Sequence, residues 1–187
     1  MKIVITGYTQ GIGEILYKHW KALGHDVIGL SRASGYDFNN GIDSVVDALK
    51  DVDLFVNNAN INNSQIDLFK KSLNAVPATI VIGSGLHNYI EYGTFPYIEE
   101  KKKLFNLIKT SVGNSEIKTK ILHVGLTFVP DEFVDDDNFI SWENIISVID
   151  YWLANPVFWD VNYNWKATEV ICNKLRKLIP DLNIDFS

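Results

Sequence analysis

Tyr97 and Lys101 stand four residues apart, and Ser84 lies thirteen residues ahead of the tyrosine. The segment around the pair, 96–111, reads as a helix, with Pro96 suited to its first position and Glu99 and Glu100 in its first turn. Residues four apart share one face of a helix. An ammonium beside a phenol favours the phenolate, so Lys101 is expected to lower the Tyr97 pKa from its ordinary value of about 10. A phenol tuned in this way exchanges a proton with a substrate oxygen near neutral pH. Ser84 closes a strand that begins Thr79-Ile80-Val81-Ile82, and its hydroxyl can hydrogen-bond the same oxygen. Any lysine-rich helix can hold a Tyr and a Lys at this spacing; the strand-end serine upstream is what makes the pair a candidate catalytic constellation.

At the front of the chain, Thr6-Gly7-Tyr8-Thr9-Gln10-Gly11-Ile12-Gly13 follows the β-branched run Ile3-Val4-Ile5. It opens onto a segment of helical periodicity, Ile12, Ile15, Leu16, His19, Trp20 and Leu23. Strand, glycine-rich turn and helix in that order form the context of a dinucleotide fingerprint. Glycine there permits a sharp turn, lets backbone N–H groups approach a pyrophosphate and brings the helix close to the sheet. The free N–H groups and dipole at the helix start favour phosphate charge. Joined to Ser84, Tyr97 and Lys101, the turn implies hydride exchange between a nicotinamide and a substrate carbon, with the tyrosine handling the proton.

With these residues assembled, the chain resembles the short-chain dehydrogenase/reductase family. Thr6, Gly7, Gly11 and Gly13 meet its Thr-Gly-x-x-x-Gly-x-Gly pattern, and Asn57-Asn58-Ala59-Asn60 matches its Asn-Asn-Ala-Gly stretch except at the last position. Its catalytic Tyr-x-x-x-Lys falls on Tyr97 and Lys101, and the likeness runs to about Gly125 before it fades. The resemblance implies Tyr97 as the acid/base, Lys101 as the residue that lowers its pKa and binds the nicotinamide ribose, and Ser84 as the holder of the substrate oxygen. It also implies a cofactor cleft lined by Gly7, Thr9, Gln10, Gly11, Ile12 and Gly13, by an adenine-contacting Asp37-Phe38 pair, by Asn57, Asn58 and Ala59, and by Gly125 and Thr127. The family's fourth catalytic residue is an asparagine on the helix before the serine strand. Asn74, in Ser72-Leu73-Asn74-Ala75, is the best local match, the other reading being a helix C-terminal asparagine. Asn60 replaces a turn glycine, which asparagine tolerates because it visits the left-handed region, and the family's Pro-Gly appears as Val124-Gly125. Family members associate through the Tyr-Lys helix and the helix before the serine strand, so a homodimer or homotetramer is expected, altered by the shortness of the latter helix.

Charge argues the choice of cofactor. The second strand ends in Ser31-Arg32, where an NAD site carries an acidic residue for the ribose 2′-hydroxyl. A serine and a guanidinium suit a 2′-phosphate instead, which favours NADP(H) over NAD(H).

Strands are predicted at 2–6, 26–31, 52–57, 78–84 and 119–125, and helices at 12–23, 41–50, 65–74, 96–111 and 141–154. Such alternation predicts an α/β, Rossmann-like doubly wound parallel sheet with helices on both faces, a three-layer αβα sandwich joined by right-handed crossovers. No linker divides the chain, so residues 1–187 are expected to form a single NAD(P)-binding domain. Beyond Gly125, the stretch 131–137 holds five acidic residues in seven and reads equally as a substrate-covering lid or a solvated loop. The aromatics Trp142, Tyr151, Trp152, Phe158, Trp159, Tyr163 and Trp165 favour core or subunit interface over a substrate pocket. Residues 166–179 read as a last amphipathic helix stopped by Pro180.

The net charge of −6 and the want of a basic patch speak against nucleic acid as a partner. Cys172 is the only cysteine, and His19, His25, His87 and His123 have no metal-ligand spacing, so neither a disulfide nor a metal is expected. No apolar stretch approaches the ~20 residues that cross a bilayer. Met1-Lys2 leads into the first strand without a signal-peptide pattern. The expectation is a cytoplasmic NADP(H)-dependent oxidoreductase acting on a small carbonyl or alcohol, with no membrane partner. The alternative is a nucleotide sensor or scaffold that keeps the fold and has lost efficient chemistry. An extended-type epimerase of nucleotide sugars fits less well, because such enzymes use another glycine spacing and a larger C-terminal domain.

Overall fold

The computed structural model describes residues 1–61, 63–84, 96–126, 142–156 and 159–162. In chain order the elements are β1 (Lys2–Thr6), α1 (Gly11–Ala22), β2 (Asp26–Leu30), α2 (Asp43–Ala48), β3 (Leu54–Asn57), α3 (Ser64–Ser72), β4 (Ala78–Ser84), α4 (Pro96–Val112), β5 (Lys120–Leu126), α5 (Trp142–Ala154) and β6 (Asp160–Asn162). Two 3-10 turns, Arg32–Ser34 and Phe38–Asn40, join β2 to α2. Thr127, the acidic stretch 131–137, Phe158, Tyr163, Trp165 and the helix expected over 166–179 lie outside the described residues.

The strands form one parallel sheet in the order β2-β1-β3-β4-β5-β6. Apolar side chains on both faces of β1 to β5 explain why the sheet is buried on both sides. Ile3 and Ile5 join Leu54, Val56, Ile80, Ile82, Leu122 and Val124 under α1 and α5, which contribute Leu16, Trp20, Ile149 and Trp152. On the other face Val4, Phe55 and Val81 meet side chains of α2, α3 and α4. That is the three-layer, doubly wound arrangement the alternation predicts. Asp150 of α5 clasps α1, its carboxylate accepting from Trp20 Nε1 at 3.1 Å and bonding His19 Nε2 at 2.8 Å.

From β1 the chain winds outward to β2, then crosses back to begin β3 on the other side of β1. The winding direction reverses there, and in such sheets ligands bind in the crevice beyond the C-terminal strand ends at the reversal. Thr6, Leu30, Asn57, Ser84 and Leu126 end the strands at this edge. β6 is the strand that the sequence does not announce. Three residues long, it is held on β5 by backbone pairing and by a 2.7 Å bond between His123 Nδ1 and Asp160 Oδ1. Of the aromatics in the tail, Trp152 is core and Trp159 packs on Phe105 at a centroid distance of 5.8 Å, whereas Trp142 and Tyr151 are exposed.

Candidate active site

The glycine turn has the geometry its sequence demands. Gly7 (φ +69) and Gly11 (φ +58) occupy the left-handed region, and a Cβ at Gly13 would collide with the Gly7 carbonyl. Close approach of α1 to the end of β1 therefore requires glycine at position 13. Gln10 is the helix N-cap and makes no capping bond through its side chain. The first N–H groups of α1 thus face outward uncapped by a side chain, which fits a pyrophosphate. Ile12 turns its side chain into the core, so only its backbone can serve a ligand.

Asn58 braces this turn, donating from Nδ2 to Thr6 O at 3.1 Å and Gly7 O at 3.0 Å. Thr6 Oγ1 accepts from the N–H of Asn58 at 2.9 Å and of Ala59 at 3.1 Å. Asn57, expected along the cleft, is fully buried and donates from Nδ2 to Gln65 O at 2.8 Å. The two asparagines hold the cleft in shape from beneath, and Ala59 forms its wall beside Gly7.

At the end of β2, Ser31 and Ser34 form a capping box: Ser31 N donates to Ser34 Oγ at 2.9 Å and the two hydroxyls lie 3.5 Å apart. Arg32 is exposed and makes no ion pair among the described residues. Asp37 and Phe38 shape the turn that leads from β2 to α2. The Asp37 carboxylate caps the next turn, accepting from Asn39 N at 3.1 Å and Asn39 Nδ2 at 3.0 Å, and the Phe38 ring is buried in the core. What Phe38 can offer a ligand is its backbone.

Ser84, Tyr97 and Lys101 come together at the end of β4. The Tyr97 hydroxyl hydrogen-bonds the Ser84 side chain, and Lys101 Nζ lies 5.3 Å from the centre of the Tyr97 ring. Ser84 and Lys101 are buried, whereas Tyr97 remains 48% exposed, as suits a group that must meet substrate. Gly125, paired with Gly83, lies at the same edge one strand over.

Two expectations are corrected. First, Lys101 does not make the phenol acidic here. Loss of water around the hydroxyl raises the Tyr97 pKa, the Ser84 hydrogen bond pulls it down, and the Glu100 carboxylate raises it further. Lys101 is itself lowered from 10.5 to about 8 by burial, with Glu100 opposing. Its ammonium is turned toward neutral partners, donating to Gln65 Oε1 at 2.5 Å and Ile82 O at 3.4 Å.

Second, Asn74 is not at the site. It lies in the left-handed region (φ 61) just beyond α3 and ties that helix to the approach of β5. Its N–H donates to Thr119 Oγ1 at 2.7 Å and its Oδ1 accepts from Lys118 N at 2.8 Å. That is the N-terminal end of the strands, about 20 Å from Ser84 along β4 at ~3.3 Å per residue. The helix residue that reaches the site is Gln65. Its Nε2 donates to Asn57 O and Ile82 O, each at 2.7 Å, so both amide hydrogens are used and only its oxygen can face Lys101. The sequence held a signal for it: Gln65, Leu68, Phe69 and Ser72 share one helical face, and a glutamine heading a buried stripe needs partners. A cavity of about 330 Å³ lined by Ile117, Thr119, Trp152 and Trp159 lies at the opposite, N-terminal end of β5 and is separate from this site.

The architecture is that of the short-chain dehydrogenases/reductases. A short-chain dehydrogenase from Streptomyces avermitilis superposes with a TM-score of 0.64 at 16% identity, over 96% of this chain and 94% of that one. The 3-alpha-hydroxysteroid dehydrogenase from Pseudomonas sp. B-0831, complexed with NADH, gives 0.62 at 17% identity over 87% and 95% of the two chains. A chain assigned to the short-chain dehydrogenases/reductases from Burkholderia multivorans, with bound NADP, gives 0.60 at 15% identity over 87% and 96%. At these identities the likeness establishes the fold. No family model matches the sequence, and no curated protein matches it.

Proposed function

We propose that this protein is an NADP(H)-dependent oxidoreductase of the short-chain dehydrogenase/reductase type that reduces a small carbonyl or oxidises the corresponding alcohol. The observation that carries the reading is the Ser84–Tyr97 hydroxyl contact above a buried Lys101, at the same sheet edge as the uncapped glycine turn. Solved structures of this fold with NADH or NADP bound support a pyridine nucleotide.

A carbonyl oxygen placed against Ser84 and Tyr97 accepts a hydrogen bond from each hydroxyl. Tyr97 gives up its proton as that oxygen becomes an alcohol, and solvent restores the proton to the phenolate. When bound, the nicotinamide supplies or receives the hydride at the carbonyl carbon. Lys101, oriented by Gln65, has a third N–H beyond its bonds to Gln65 and Ile82, which would serve the ribose. The N–H groups at the start of α1 take the pyrophosphate. Arg32, exposed and without an ion pair among the described residues, takes the 2′-phosphate beside Ser31.

Tyr97→Phe is the test. A positioned proton donor contributes ~10²–10⁴-fold, so turnover across a panel of small carbonyls should fall by that factor while NADPH binding, followed by nicotinamide fluorescence, persists. Turnover within a few-fold of wild type would remove Tyr97 from the role. The second reading, a nucleotide sensor with little chemistry, draws on the absence of Asn74 from the site. NADPH binding by the wild type without turnover across the panel would favour it.

A further inference from the structure

Asn60 stands where the resemblance expects a turn glycine, yet the turn does not use its conformational freedom. Among the described residues the non-glycine positions in the left-handed region are Asp51, Asn63 and Asn74. What Asn60 does instead is reach across the cleft: its Nδ2 donates to Glu100 Oε2 at 3.1 Å, joining the end of β3 to the first turn of α4. Glu100 lies three residues after Tyr97 and directly before Lys101, half-buried between the strand ends and the reactive face of the helix.

We propose that Asn60 and Glu100 are a positioning pair for this site: the Asn60 amide, beyond the end of β3, fixes the Glu100 carboxylate on α4 so that a fixed anion stands beside Tyr97 and Lys101. The inference rests on the oxidoreductase reading, because reduction needs Tyr97 to begin with its proton and alcohol oxidation needs it to begin without. The carboxylate is well placed to act on both neighbours. It raises Tyr97 and opposes the lowering of Lys101 by burial.

Among the described residues, the other elements packed against the pair bring neutral or exposed groups. β4 brings the neutral Ser84 hydroxyl and α3 the neutral Gln65 amide. The charged residues of α3, Asp67, Lys70 and Lys71, are exposed, the first two paired at 3.9 Å. On α4 itself Lys103 is exposed, and Glu99 and Lys102 are half-buried.

Glu100→Gln removes the charge and keeps the shape, and Asn60→Ala releases the carboxylate without touching the helix. The phenolate absorbance of each protein is titrated against pH and compared with its own Tyr97→Phe derivative, which isolates this residue from the other seven of the eight tyrosines. The Tyr97 midpoint should move to lower pH in Glu100→Gln, move the same way by less in Asn60→Ala, and move no further in the double variant than in Glu100→Gln. The alkaline limit of carbonyl reduction should move down in the same order. An unmoved midpoint in Glu100→Gln would overturn the proposal, as would an unmoved midpoint in Asn60→Ala alongside a shift in Glu100→Gln. If no carbonyl is turned over by wild type, the oxidoreductase reading fails, and the absorbance midpoints still decide what the pair does.

Discussion

Lys101 is a nearly inaccessible ammonium whose hydrogen-bond partners are an amide oxygen and a backbone carbonyl. Neutral oxygens stabilise a charge less than water does, so burial depresses its pKa from 10.5 to about 8. The consequence for folding has a definite sign. Below pH 8 the lysine is charged in both folded and unfolded chains, and the native state bears the whole penalty, about 3 kcal/mol at ~1.36 kcal/mol per pH unit of difference. Between pH 8 and 10.5 the unfolded chain binds more protons than the native one, so this contribution makes stability rise with pH. Tyr97 acts oppositely, and only above its ordinary value of 10.0. The unfolding free energy of the ligand-free wild type, measured against Lys101→Met by urea titration, should therefore improve steadily between pH 8 and pH 10. A flat difference over that interval would show that the ammonium is not held at a depressed pKa.

At the scale of elements, the site exists because α1 starts hard against the end of β1 and Asn58 pins the turn between them. Gly13→Ala places a methyl into the Gly7 carbonyl and within 2.7 Å of Asn58 Nδ2, so helix, strand or brace must shift. Overpacking of this kind typically destabilises by about 1–3 kcal/mol. The same change at Gly113, whose added Cβ would meet nothing closer than 3.9 Å, should alter stability by less than ~1 kcal/mol. Denaturant unfolding of the two variants makes the comparison, and Gly13→Ala should also lose dinucleotide binding. Equal stability for both would mean that the turn has more room than its backbone suggests. His123 imposes a parallel constraint further along: its ring lies over Gly83, where a Cβ would strike it, while its other side holds Asp160 of β6.

At the scale of the molecule, five strands, five helices and their order are legible in the sequence because short continuous apolar runs give way to segments of helical periodicity. The glycine turn and the Ser84, Tyr97 and Lys101 grouping are legible for a related reason, each sitting at the end or start of a strongly patterned element. What could not be read depends on contacts between distant segments. β6 is three residues held by its neighbour, Gln65 is defined by a lysine thirty-six residues later, and Asn74 lies beyond the far end of α3, where its N–H is tied to Thr119 just ahead of β5. The shift in Tyr97 likewise follows from Glu100 and from lost water, which the Tyr-Lys spacing does not reveal. The whole-molecule property that the proposed function implies is linkage between folding and dinucleotide binding. A ligand that binds only the native state adds about 2.7 kcal/mol at a hundredfold excess over Kd, which for a chain of this size is roughly a 5–10 °C rise in Tm. At equal concentration NADPH should raise Tm more than NADH does, because Arg32 can pair with a 2′-phosphate and has no role toward a 2′-hydroxyl. Charge-assisted hydrogen bonds contribute about 1.5–3 kcal/mol, so Arg32→Ala should bring the NADPH shift down to that of NADH and leave the NADH shift in place. Equal shifts for the two nucleotides in wild type would remove the preference while keeping the fold's cofactor, whereas no shift with either would remove the cofactor as well.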